Sequence, residues 1–421
     1  MIYSKRKINN ILLWLFPFIA FEGLGLMIFP QKIFAYVLNI TFPIMTLYVW
    51  SELKLQKQNI YFNCMRYLLM ATGIGALMSI VLWEQTFFEA YISLVSRTKG
   101  GWVILFFFFL KAARITTEEL KRFIWINLFI YAVVYFYVLH NLPVPTLWNQ
   151  ISDDEVNMDD SRGIIRISVA NRGVLPLALF LAINSWNTTK EKKYLAISFI
   201  IVVLIFMLVT RQIIFLSLLC GLYYLIMYKK RMWIYLIALA CILYFGISNI
   251  KFSDDSIIGS LVNLTEEQLN GETQQSYKGE DIRVTEYKYF FTKYNDNPLA
   301  IMFGNGNPGG HSKLYWYENR LRTQYGIYRS DVGYARIFVT FGLCGLLVFI
   351  ILHFKAIMQR VSPQCQWVRI YMIYMIFANI AASWYFSDGI WYSVAVYILA
   401  YHSKTNQLKK DNEIFNINSS L

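Results

Sequence analysis

Two apolar runs, Tyr194–Val209 and Ile213–Tyr228, are separated only by Thr210-Arg211-Gln212. Each run is long enough to cross a hydrocarbon core of about 30 Å with some tilt and snorkelling. The chain therefore has to turn back at that point and hold a guanidinium at the lipid boundary. A charge costs roughly 2.5–3.5 kcal/mol at the centre of a membrane helix, and less near the interface. A cation kept at that expense is expected to face a cavity or an anion.

Comparable runs recur along the chain, at Ile11–Phe29, Ile33–Trp50, Tyr67–Trp83, Phe87–Leu110, Phe123–His140 and Val174–Trp186 before this pair. After it come Trp233–Ile247, Tyr334–His353, Val368–Phe386 and Ile390–His402. With 57% hydrophobic and 15% charged residues, a soluble domain of 421 residues is excluded. The expected fold is an all-α polytopic membrane protein of about twelve transmembrane helices. The fourth run carries Arg97, Lys99 and a Gly100-Gly101 break, which points to a short span with an interfacial lead-in.

The formal charge of +13 suggests nucleic acid until its distribution is considered. With residue 1 inside, 22 of the 39 Lys and Arg fall in 1–10, 51–66, 111–122, 188–193, 228–232, 354–369 and 403–421. The short outward turns hold Lys32, Arg97, Lys99 and Arg211. That asymmetry is a topology signal, so both termini are expected in the cytoplasm and no nucleic-acid partner is implied. Lys5-Arg6-Lys7 precedes the first run without a small-residue cleavage site, and reads as the flank of an uncleaved first helix. Residues 1–140 then carry spans one to five, 141–173 a first outward loop, and 174–247 spans six to nine. A large outward loop, 248–333, forms a small helical subdomain, 334–402 carries the last three spans, and 403–421 is a cytoplasmic tail.

The five cysteines lie in spans or inward segments, so no outward disulfide framework is expected. Four histidines, with no CxxC or HExxH, argue against a metal site, and the lack of a Walker A or Rossmann motif argues against a nucleotide cofactor. The expectation is therefore no metal and no cofactor.

The cations of the first loop are all arginine: Arg162, Arg166 and Arg172. Arginine offers a planar fork suited to phosphate or carboxylate. The bland alternative is pairing with the acidic run Asp153-Asp154-Glu155, most plausible for Arg162. In the second loop, Thr265-Glu266-Glu267-Gln268-Leu269 reads as a capped helix start. Asp281 to Tyr294 reads as an amphipathic helix with Ile282, Tyr289 and Phe290 offset from Arg283, Glu286 and Lys293. The stretch Phe303–Gly310 is either a flexible turn or a backbone cradle for sugar or phosphate. Tyr315, Trp316, Tyr317, Tyr325 and Tyr328 suit either carbohydrate stacking or an interfacial aromatic belt.

Taken together, these features resemble the O-antigen polymerase and O-antigen ligase superfamily of bacterial membrane glycosyltransferases. Thr210-Arg211 followed by Ile213–Leu219 matches a helix-end step common in that family. Arg283 ahead of Pro298-Leu299 and Gly304-Asn305-Gly306, and Tyr334–Phe341 leading into Gly342-Leu343-Cys344-Gly345, match two further features. Polymerases of the class are also described by Arg, ten residues, then Gly in each of two outward loops. Arg162 to Gly173 and Arg322 to Gly333 fit that spacing. One departure stands out: where relatives have a histidine three residues before the tyrosine of the tenth span, this chain has Asp331. That favours a polymerase over a ligase, with His311 as the rival base.

The resemblance implies undecaprenyl-pyrophosphate-linked oligosaccharide as both donor and acceptor, in contact with membrane lipid, with a chain-length regulator as an open further partner. The leaving pyrophosphate requires fixed cations, for which Arg211 and Arg283 are first choices. Arg162, Arg166, Arg172, His311, Arg322 and Arg336 are the candidate substrate-binding residues. Asp331 is the candidate base; its bland reading is an ion pair with Arg329 or Arg336 at a helix N-terminus. Alternatives are a ligase-type transferase, a lipid-linked oligosaccharide transporter using Glu22, and a membrane acyltransferase. The long outward loop without internal repeats argues against the transporter.

Overall fold

The computed structural model describes residues 13, 31–54, 59–97, 100–140, 158–159, 164–165, 171–208, 210–228, 276–277, 280–310, 312–387 and 389–402. These form helices α1 (Gln31–Val49), α2 (Ile60–Trp83), α3 (Phe87–Ile92), α4 (Gly100–Ala112), α5 (Thr117–His140), α6 (Val174–Thr189), α7 (Lys192–Met207) and α8 (Arg211–Tyr228). Later in the chain come α9 (Ile282–Thr292), α10 (Pro298–Phe303), α11 (Lys313–Tyr325), α12 (Gly333–Met358), α13 (Gln366–Ala381) and α14 (Trp384–Ser387). A last helix, α15, covers 389–402. The described strands are two short antiparallel pairings, Met158–Asp159 with Ile164–Ile165 and Ser276–Tyr277 with Glu280–Asp281.

Among the described residues, three helices are long and apolar enough to cross a membrane: α2, Thr117–Tyr137 of α5, and α12. The protein is an integral membrane protein. The expected fourth span is bent by 59° between Phe87–Val95 and Gly100–Ala112, where glycines weaken the helix. The expected first and ninth spans fall outside the described residues, apart from Leu13, as does the helix start at Thr265.

Where each helix sits follows from its composition. Gly100 to Leu110 of α4 is apolar on every side and wholly buried, as an all-round apolar helix must be at the centre of a bundle. The α15 residues Ile390 to Ala400 are buried beside it. Two side-chain hydrogen bonds tie α15 to the α4 region: Ser393 Oγ donates to the Val103 carbonyl, and Tyr397 Oη donates to the Ile115 carbonyl at 2.9 Å. Outer helices show the opposite face to the surroundings: Leu343, Leu347, Ile350, Ile351 and Phe354 of α12 are exposed apolar residues, as a lipid-facing stripe requires.

Two helices do not run as expected. The tenth span is interrupted at Gly342 (φ 70°, ψ −174°), so α12 is two helical pieces across a kink. The eleventh stops at Ala381, and Ala382-Ser383 separates α13 from α14. Polar side chains and backbone collect at both interruptions.

Candidate active site

The kink in α12 is filled by backbone. Val339 and Thr340 expose carbonyls there, which accept from the Asn305 N–H at 2.8 Å and the Gly306 N–H at 3.2 Å. Asn305 is fixed in turn by Trp83 Nε1, which donates to its Oδ1 at 2.8 Å. A Cβ on Gly304 would lie 2.3 Å from the Thr340 oxygen, and one on Gly342 would lie 2.3 Å from the Met302 oxygen. The glycine stretch is thus neither a flexible turn nor an open cradle. Its backbone is consumed in packing against another backbone.

The break after α13 is met by side chains instead. Gln212 Nε2 donates to the Ala378 carbonyl at 2.6 Å, Tyr287 Oη to Ile380 at 2.6 Å, and Tyr334 Oη to Ile376 at 2.9 Å. Each donor comes from an element that carries an expected site residue. Gln212 follows Arg211, the first residue of α8. Tyr287 lies one turn beyond Arg283 on the same face of α9. Tyr334 lies between Asp331 and Arg336. Across the break, Trp384 Nε1 donates to Gln212 Oε1 at 3.3 Å, and the Arg172 guanidinium sits over the Trp384 ring at 4.7 Å. The segments that carry Arg211, Arg283, Arg172, Arg336 and Asp331 therefore meet at one helix end. Such an end carries partial negative charge, which favours cations beside it.

Next to this break is a cleft of about 260 Å³ whose lining includes Tyr315, Glu318, Arg322, Arg329, Ser330 and Arg336. Helix α11 forms one wall. Ser312 caps its start by accepting from the Tyr315 N–H at 3.2 Å. Gly326 ends it in the left-handed region (φ 63°), and the Ile327 N–H returns to the Leu321 carbonyl at 3.2 Å. This reversal sends residues 327–331 back along the cleft.

Arg329 is committed to structure. It pairs with Glu318 at 2.9 Å and donates to Gly306 O at 3.3 Å and Asn307 Oδ1 at 2.9 Å. Tyr294 also donates to Glu318, at 2.8 Å; burial first, then the Glu318 charge, raise its phenol above the ordinary value, so it remains a donor. Arg336 lies with its guanidinium 4.3 Å above the Phe386 ring, and its buried Nε has no hydrogen-bond partner among the described residues. Arg322 is exposed and donates to Asn319 at 3.1 Å.

Asp331 is exposed, in a 3₁₀ turn (Arg329–Asp331), and accepts from the Ser330 hydroxyl at 2.9 Å. The ion-pair reading is not what forms: Arg329 takes Glu318, and Arg336 takes an aromatic face. Asp331 is not the cap of α12 either, since Val332 occupies that position. Gly333, the glycine of the Arg322–Gly333 spacing, permits close approach of α12 to α13. A Cβ there would lie 2.4 Å from the Asn379 oxygen and 2.5 Å from that of Ala382.

Arg162, Arg166 and His311 lie outside the described residues. Glu286, assigned from the sequence to a polar face, is wholly buried and accepts from the Tyr328 N–H at 2.7 Å. Arg329, Glu318 and Trp384 were not singled out as site residues. Only the Arg329–Asp331 adjacency hinted at the first, and it suggested the wrong partner. Among the described residues, no group of three or more His, Cys, Asp or Glu is placed to hold a metal ion.

Residues 196–350 match the family model described as O-antigen ligase. That match supports membership of the O-antigen ligase and polymerase superfamily. The matched segment runs from α7 into α12 and includes Arg211, Arg283, Arg322, Asp331 and Arg336. Comparison with curated proteins found no match. The matched family points to a membrane enzyme of the glycosyl-transfer type, and that family implies lipid-linked oligosaccharide substrates.

Proposed function

We propose that this member is a polymerase. It joins undecaprenyl-pyrophosphate-linked oligosaccharide repeat units into O-antigen or a related surface polysaccharide at the periplasmic face of the bacterial inner membrane. The observation that carries this reading is that Gln212, Tyr287 and Tyr334, from the segments carrying Arg211, Arg283, Asp331 and Arg336, all bond to the end of α13. Asp331 takes the proton of an acceptor sugar hydroxyl. The resulting oxygen attacks the donor's anomeric carbon, and the bond from that carbon to the pyrophosphate oxygen breaks. The electron pair leaves on the pyrophosphate, where fixed guanidinium groups meet the developing charge without a metal. Arg211 and Arg283 serve the leaving group, and Arg172, Arg322 and Arg336 hold the substrates.

The matched model's description, O-antigen ligase, supports a second reading in which the acceptor is a different glycolipid. Purified protein in liposomes, given only lipid-linked repeat units, separates the two. The polymerase reading requires a ladder of lipid-linked products, unchanged in the presence of a chelator. Absence of a ladder, with transfer appearing once a lipid A core acceptor is added, would establish the ligase instead.

A further inference from the structure

Helix α9 contacts both segments that form the candidate site, through adjacent residues. Glu286 Oε1 accepts from the Tyr328 N–H at 2.7 Å, at the start of the turn that carries Asp331. Tyr287 Oη donates to the Ile380 carbonyl at 2.6 Å, at the end of α13. The two segments are also tied to each other. Ser383 donates to the Ser330 carbonyl from its N–H at 3.0 Å and from its hydroxyl at 2.8 Å. The result is a triangle of α9, the 328–331 turn and the Ala382-Ser383 break, with Arg283 one turn back on α9.

One corner of this triangle is costly. Glu286 has no exposed surface, and a carboxylate taken out of water loses its hydration, which few buried partners restore. Packing alone would favour an apolar residue of similar size. What the carboxylate supplies to the 328–331 segment is an acceptor for the Tyr328 backbone N–H, at the start of a short 3₁₀ turn. Arg329 holds the next residue of that turn through Glu318, Gly306 and Asn307. The turn is therefore fixed on three sides, and Asp331, its one carboxylate, is exposed and accepts from the Ser330 hydroxyl.

We propose that Glu286 is a positioning residue: its acceptor oxygen fixes the 328–331 turn, and through it Asp331, relative to Arg283. This rests on the reading of Asp331 as the base. Misplacing a reacting group by about 1 Å costs on the order of 10²-fold in rate. Glu286→Gln keeps an acceptor oxygen at the same reach, whereas Glu286→Met keeps the volume and removes it.

The test pairs kinetics with backbone exchange in detergent-purified full-length protein. In Glu286→Met, the peptide spanning 327–331 should exchange amide hydrogen faster than wild type, while peptides from α12 remain protected. Its kcat should fall about 10²-fold with donor KM unchanged. Glu286→Gln should keep wild-type exchange and stay within about threefold of wild-type kcat. Unchanged exchange in Glu286→Met, or equal loss of kcat in both variants, overturns the positioning role. The exchange result does not depend on activity. If wild type itself makes no polymer, the polymerase reading fails, while the exchange comparison still decides the role of Glu286.

Discussion

The two interruptions in apolar helices share a cause and differ in what fills them. At Gly342 the freed carbonyls of α12 are taken up by Asn305 and Gly306, backbone to backbone, and glycines allow the two chains to touch. At Ala382-Ser383 the carbonyls of α13 are taken up by Gln212, Tyr287 and Tyr334, which bring arginines and an exposed carboxylate with them. Unpaired backbone groups in a low-dielectric setting must be satisfied either way. Backbone closure produces a rigid seal. Side-chain closure leaves a polar, cation-rich niche, and that is where chemistry can be placed.

The contrast is broken most severely at the seal. Gly342→Ala should add backbone strain and overpacking, about 2–6 kcal/mol together, and leave little folded protein after extraction in mild detergent. Wild-type yield and thermal stability in that variant would show that the kink is not closed by glycine contact.

At the niche the effect should be on rate and not on folding. Arg211→Ala or Arg283→Ala should abolish visible polymerisation, a loss of about 10²–10³-fold, and leave single repeat units on their carrier. Lysine at either position should rescue poorly because it lacks the planar fork. Gel analysis of extracted lipid-linked glycans reads both outcomes, and a normal ladder from Arg211→Ala removes that arginine from the site.

Arg329 spans the two regions, since it links the glycine loop to the turn. Arg329→Met should cost about 1–3 kcal/mol of stability by leaving Glu318 and the loop acceptors unpaired. Thermal unfolding should show little additivity with Glu318→Gln, because the two lose the same contact. The smallest change should come from Gly326→Ala. No atom lies within 4 Å of the added methyl, so only the left-handed conformation is penalised, by about 1–2 kcal/mol, with polymerisation intact.

The membrane class and the place of the helices now seen as α2, α5 and α12 were legible because apolar length carries a strong local signal. The helix breaks were not. Val368–Phe386 reads as one continuous apolar run, since the signal that α13 stops at Ala381 lies in partners far along the chain: Gln212, Tyr287 and Ser330. Gly342 was visible only as part of a family-like Gly-Leu-Cys-Gly pattern, because its role depends on the approach of Met302. Glu286 was misplaced for a related reason. Helical periodicity assigned it to solvent, and a backbone N–H at Tyr328 drew it inside. The ion-pair neighbours expected for Asp331 were wrong: adjacency suggested Arg329, while the fold gave that arginine to Glu318.

In the proposed mechanism, acceptor activation occurs at the niche beside α13, by Asp331. Purified Asp331→Asn and His311→Ala, assayed side by side for polymer formed from lipid-linked repeat units, test it most directly. Asp331 is exposed and caps no helix, so the asparagine variant should fold and insert normally while its rate falls about 10²–10⁴-fold, the usual worth of a general base. His311→Ala should be mild. Normal polymerisation by Asp331→Asn, with activity lost in a folded His311→Ala, would contradict the account and move the base to the glycine-rich segment.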